Sequence, residues 1–220
     1  MLLVVDTSTA QVGLALYDGS RVLGGMTWTT RQHHTIELAP ALSGLLTRSS
    51  SSIDMVNALG VAIGPGSFTS LRVGLSFVKG LALARSLPII GVPTLDIVAA
   101  AQPVAKHPLV VVIQAGRGRI AMGWYKGSKN GWQAQGAARS GTVDELLSEI
   151  KSPTLVAGEL TSEERQKLML AKVMLASPSN CVRRPSILAE LAWARLQENR
   201  FDDAASLAPI YLHVAGAPAA

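Results

Sequence analysis

The sequence predicts an α/β fold of two lobes with mixed sheets, and three observations predict it. Short buried runs rich in Val, Ile and Leu alternate with longer runs at helical spacing. The order strand, strand, strand, helix, strand, helix is read twice along the chain. Between the two passes lies "QPVAKHP", Gln102 to Pro108, which breaks the pattern. The lobes are therefore expected over residues 1–105 and 106–220. They share architecture and little sequence.

"LLVVD" is a short buried strand. "VGLALYDGSRVLGGMTWTT" reads as two strands about Asp18-Gly19, a hairpin signal. "HHTIELAPALSGLLTRS" is a helix, with Ile36, Ala39, Leu42, Leu45 and Leu46 at helical spacing and Pro40 in its early turns. "ALGVAIG" is a strand, "TSLRVGLSFVKGLALARS" a long helix, "PIIGV" a strand and "TLDIVAAAQ" a helix. The order then restarts. "LVVVIQA", "RIAMGWYK" and "WQAQGAARS" are strands, and "TVDELLSEI" is a helix. "TLVAGEL" is a strand, "TSEERQKLMLA" a helix and "VMLAS" a strand. "PSILAELAWARLQEN" is a helix with Pro185 suited to its first turn.

Hydrophobic residues make up 48% of the chain, ample for a core. Charged residues make up only 16%, so some apolar surface is expected, and apolar surface is often partner surface. The formal net charge is +5. No acidic residue falls between Asp96 and Asp144, yet Lys106, Arg117, Arg119, Lys126, Lys129 and Arg139 do. Such a stretch could face nucleic acid, or could be solvated hairpins. Cys181 is alone, which fits a reducing compartment. "MLLVVDTSTA" lacks a basic leader and carries Asp6 in its apolar run, so it reads as a strand rather than a signal peptide. No apolar run is long enough to span a membrane. A cytoplasmic protein is expected.

The stretch "GPGSFTS" lies between a strand and a helix, where glycines often hold phosphate. Gly64 and Gly66 fit a dinucleotide fingerprint, but Thr69 stands at the third glycine and no acid follows at the expected distance. No Lys-Ser/Thr pair makes it a P-loop, and Ser67 lacks the second glycine of a nucleophile elbow. The favoured reading is a turn that launches the helix, capped by Ser67, Thr69 or Ser70. That helix carries apolar residues on both sides of a stripe formed by Arg72, Ser76 and Lys79. A helix lying on one sheet needs only about 100° of apolar surface. A shared surface with another subunit is therefore expected here and on the preceding helix. Leu38, Leu42, Leu45, Leu71, Leu75 and Val78 are the candidate seam residues.

"VVDTSTAQVGLALYDGSRVL", "RQHHTIELAP", "GPGSFTSLRVGLSFVKGLALA" and the late "APIYLH" resemble the bacterial TsaB family, also called YeaZ. The match runs in order from Leu2 to Val92 and more weakly to Tyr211. The resemblance implies an actin-like ATPase (ASKHA) fold. It implies a non-catalytic subunit of the complex that forms N6-threonylcarbamoyladenosine at position 37 of tRNAs reading ANN codons. It also implies a scaffold for the transferase TsaD, joined by the ATPase TsaE, with TsaC supplying the threonylcarbamoyl-adenylate. ATP and metal are then expected on partner subunits, and none is expected on this chain.

The residues agree with that implication. Asp6, Thr7, Ser8 and Thr9 supply the first loop of an actin-like phosphate site. The second has Gln114-Ala115-Gly116-Arg117, where family members often carry an acid, and a neutral Gln binds a divalent ion poorly. His33 and His34 lack the second histidine of a His-x-x-x-His metal site. Arg117, Arg119 and Lys126 are candidate tRNA contacts. The alternatives are a small actin-like kinase or ATPase using Asp6, a protease at Ser67 and a dinucleotide module at Gly64. A homodimer of the chain alone is a further expectation.

Overall fold

The computed structural model describes residues 1–30, 33–116 and 118–212. The first lobe is built on a sheet of β1 (Leu2–Asp6), β2 (Gln11–Tyr17), β3 (Val22–Thr29), β4 (Ala58–Ala62) and β5 (Ile89–Val92). Their order is β3-β2-β1-β4-β5. The β1–β2 and β2–β3 pairs are antiparallel, whereas β1–β4 and β4–β5 are parallel. Every residue of β1, β4 and β5 is buried, as unbroken apolar strands in a two-sided sheet must be. The Asp18-Gly19 hairpin forms as expected, with Gly19 at φ 98°.

The second lobe repeats the plan. Its sheet comprises β6 (Leu109–Gly116), β7 (Arg119–Ser128), β8 (Gly131–Ala134), β9 (Arg139–Gly141), β10 (Leu155–Gly158) and β11 (Met174–Leu175). The order is β11-β10-β6-β7-β8, with β9 also on β7. The single strand expected over "WQAQGAARS" is thus two. Gly136, at φ 94°, breaks it, and the pieces pair with opposite ends of β7.

Helices α1 (His34–Arg48) and α2 (Phe68–Arg85) cover one face of the first sheet, and α4 (Val143–Glu149) and α5 (Ser162–Leu170) one face of the second. The other faces are covered by exchange. Helix α3 (Thr94–Ala100) follows β5 but sends Leu95, Val98 and Ala99 onto β6 and β7 of the second lobe. Helix α6 (Pro185–Gln197) ends the second lobe's sequence but packs Leu188, Ala189 and Ala192 on Leu2, Val4 and Ile90 of the first. Each half thus follows its six-element order with the further strand and helix read from the sequence, and the second half has one more strand because β8 and β9 are separate. The 105/106 boundary separates the sheets but not their covers.

The seam residues need a correction. Leu38, Leu42, Leu45, Leu71, Leu75 and Val78 are all buried within the isolated chain. All but Leu71 lie in one cluster with Leu14, Leu16, Leu59 and Val61 of the sheet. On the extra apolar arc of α2, Val73, Phe77 and Leu81 are half-buried against the rim of the same cluster, as are Ala204 and Leu207 of the returning segment. Lys79 Nζ donates to the Ala205 carbonyl at 3.3 Å. Among the described residues, what α1 and α2 leave uncovered is their outer arc, including Ile36, Ser43, Arg72, Ser76 and Leu83.

Candidate functional site

The loop after β1 is where the lobes meet. Asp6 is buried, and both its oxygens are taken. Oδ1 accepts the Ser8 amide at 2.8 Å and Oδ2 accepts Nε of Arg183 at 2.7 Å. Arg183 is itself fully enclosed. Its Nη2 donates to Thr9 Oγ1 at 3.0 Å and to the Gln11 carbonyl at 2.7 Å, and its Nη1 pairs with Glu159. Thr9 Oγ1 in turn donates to Glu159 Oε1 at 2.8 Å. Burial alone would pull the guanidinium pKa down. The Asp6 and then the Glu159 carboxylates more than offset this, so it stands above its ordinary value. Each Asp6 oxygen therefore already holds a protein donor, one of them a buried cation.

The rest of the loop is tied down as tightly. Thr7 Oγ1 donates to the Ser70 carbonyl at 2.7 Å, and Ser8 Oγ lies 2.7 Å from Thr94 Oγ1. The Gly-Pro-Gly turn packs on this loop. Gly64 N donates to Thr94 Oγ1 at 2.9 Å and Ser67 N to the Ser8 carbonyl at 2.7 Å. A Cβ at Gly66 would overlap the Ser8 carbonyl. The Gly64 and Ser67 amides are thus spent on the protein, and the turn packs on the Asp6 loop as it launches α2. Ser67 is the N-cap by position, yet its side chain caps nothing and instead accepts Ser70 Oγ at 3.0 Å. Among the described residues no histidine is hydrogen-bonded to it.

Gln114 donates Nε2 to Glu164 Oε2 at 2.7 Å, locked to the capping box of α5. His34 is buried at the start of α1, with Nε2 3.1 Å from the Thr9 carbonyl, so it packs rather than ligates. Among the described residues no group of three or more His, Cys, Asp or Glu could hold a metal. Across the lobe junction, Tyr125 Oη donates to Asp96 Oδ1 at 2.8 Å, joining α3 to β7. Burial holds the Asp96 carboxyl above its usual range, against the lowering effect of that bond.

The basic stretch does not form one surface. Arg117 lies outside the described residues. Arg119 turns onto β9, with Nε 2.9 Å from Ser140 Oγ. Lys126 sits seven positions along β7, about 23 Å away at strand rise, and strand alternation puts it on the opposite face. Arg139 pairs with Glu149, an acid remote in sequence and adjacent in space. What remains together is Lys106 and Lys126, which flank Trp124 and Gln135 in a hollow of about 430 Å³.

A second feature lies on the outer face of the first lobe. A groove of about 510 Å³ runs between α1 and α2, lined by Thr35, Phe68, Arg72, Val73, Ser76 and Phe77 above buried Leu38. Arg72 closes one end, its guanidinium 3.7 Å from the centroid of the exposed Phe68 ring and its Nε 2.9 Å from Tyr211 Oη. The lining is mostly apolar, and Ile36 beside it is 69% exposed. Sequence periodicity located these two helices and chose the wrong arc of each. It missed Arg183 altogether.

The model of the family described as "TsaD: tRNA N6-adenosine threonylcarbamoyltransferase" matches residues 24–212. The tRNA threonylcarbamoyladenosine biosynthesis protein TsaB of Bacillus subtilis is 29% identical over 99% of this chain and 96% of its own length. TsaB of Escherichia coli is 34% identical over 61% of this chain and 59% of its own. YeaZ from Pseudomonas aeruginosa superposes with a TM-score of 0.76 at 23% identity, covering 96% of this chain and 99% of that one, a likeness of fold. The two-lobed α/β architecture with mixed sheets expected from the sequence is the one observed.

Proposed function

Because the chain belongs to the TsaB (YeaZ) family of tRNA threonylcarbamoyladenosine biosynthesis proteins, we propose that it serves there as a non-catalytic subunit that scaffolds TsaD. The observation that carries this reading is the pairing of a closed site with an open groove. Asp6, the carboxylate the sequence offers to a phosphate site, is paired with buried Arg183, while the α1–α2 groove presents apolar surface to solvent. TsaD binds at that groove, and ATP and metal chemistry resides on the partner subunits, with TsaE joining the assembly in the cytoplasm. In the absence of TsaD, the same groove accounts for a homodimer. The Lys106–Lys126 hollow, with Trp124 to stack on, is the surface best suited to tRNA in the assembled complex.

The test pairs two assays. Ser76, exposed in the groove, is changed to Glu, and capture of purified TsaD is measured beside the melting temperature. Binding lost at unchanged Tm is the expected result; full capture by Ser76→Glu would reject the groove. In the second assay, the purified chain is given ATP and Mg²⁺ alone. No steady turnover is expected, and turnover abolished by Asp6→Ala would establish the kinase or ATPase reading instead.

A further inference from the structure

We infer that the lobe junction is a cation site that the chain fills with its own guanidinium, so that Arg183 sets the angle between the lobes in place of any added ligand. The site is built from both sides. The first lobe gives Asp6, Thr9 Oγ1 and the Gln11 carbonyl, and Gln11 Oε1 also accepts the Arg183 amide at 2.8 Å. The second lobe gives Glu159, which reaches Arg183 and Thr9 together. Gly158 makes this reach possible. Its φ of 125° turns the chain after β10, a Cβ there would overlap the Val112 carbonyl, and Glu159 N donates to that same carbonyl at 2.8 Å.

The site has two carboxylates and two neutral oxygens around one planar cation. A guanidinium matches such a set through a rigid fork of donors, which an ammonium lacks. Arg183 precedes α6, the helix that covers the first sheet, so the side chain is delivered by an element seated on one lobe and clamped by a carboxylate of the other. A buried pair of this kind adds little net stability compared with apolar packing, but it specifies one arrangement. The arrangement specified here is the relative seating of the lobes. This inference does not depend on TsaD.

The test uses the full chain with Cys181→Ser and spin labels at Ser43→Cys on α1 and Gln166→Cys on α5, both exposed positions. The parent should give one narrow interlobe distance distribution that ATP·Mg²⁺ leaves unchanged. Arg183→Gly should broaden it, and low-millimolar guanidinium should narrow it again where ethylammonium at the same concentration does not. A distribution that stays narrow in Arg183→Gly, or one that guanidinium restores no better than ethylammonium, overturns the inference. So does a parent distribution that ATP·Mg²⁺ shifts. Should Arg183→Gly fail to fold, Glu159→Ala decides, read beside Glu159→Gln. Glu159→Ala keeps the Arg183–Asp6 pair and removes both contacts from the second lobe, so broadening in Glu159→Ala supports the clamp and a narrow distribution in it overturns the inference.

Discussion

Arg183 has no solvent-exposed side-chain surface, and its charge is supported by Asp6 and Glu159. Removing it strands the Asp6 carboxylate, which is 4% exposed in its side chain, without a counter-charge. Breaking such a buried pair costs about 3–5 kcal/mol. Arg183→Met is therefore expected to lower the unfolding free energy by about that amount, read from urea titration. Asp18 is the opposite kind of carboxylate, exposed in the β2–β3 turn. Hydrogen bonds from the Ser20 and Arg21 amides and the Ser20 hydroxyl hold its pKa down to about 2. Its folded pKa lies below the unfolded one, so the turn's contribution is present above the ordinary Asp value and is lost as the pH falls through about 2. An NMR titration of the Asp18 carboxyl should show that midpoint, and a midpoint near 4 would contradict the turn geometry. The Asp6 loop was legible in the sequence as a short motif, and Gln114 stood out only through the family resemblance, which leads one to expect an acid there. Arg183 was not legible, since its partner Asp6 lies 177 positions away and an Arg-Arg pair reads as ordinary basic surface.

At the scale of elements, strand and helix identity was legible nearly throughout, because buried strands and long helices differ in period. The orientation of α2 was not. Its apolar residues run round more than one face, and spacing cannot tell the arc that meets the sheet from the arc that lies half-buried at the rim of the cluster. Leu75 lies in the core cluster and Ser76 in the groove, one position apart. Leu75→Glu should therefore unfold the isolated chain, whereas Ser76→Glu should leave circular dichroism and Tm as they are. Gly74 offers a second check. Ala is better than Gly in a helix interior by about 1 kcal/mol, so propensity alone predicts that Gly74→Ala stabilises. A Cβ at Gly74 would overlap the Thr7 hydroxyl, which is fixed on the Ser70 carbonyl. We expect the clash to win, and a raised Tm in Gly74→Ala would show that α2 sits less closely on the Asp6 loop than described.

Over the whole molecule, the two-lobe plan was legible from the restart of the element order, and the exchange of α3 and α6 was not. Both helices follow a strand in the usual way, and nothing in local sequence says that each will cross to the other sheet. The fragment 1–105 would keep β1 to β5 together with α1 and α2 yet lack α6, the cover of Leu2, Val4 and Ile90. It should show no cooperative thermal transition and should bind a hydrophobic dye, while addition of 106–220 should restore both behaviours towards those of the intact chain. The same exchange imposes an order on biosynthesis. The first sheet is complete at Val92, but its second cover begins only at Pro185. At about 5–20 residues per second, a ribosome takes on the order of ten seconds to cross that interval. Throughout it the nascent chain carries a bare face of Leu, Val and Ile. The earliest part to emerge is thus the last to be closed, which makes it the natural client of a chaperone stationed at the exit tunnel.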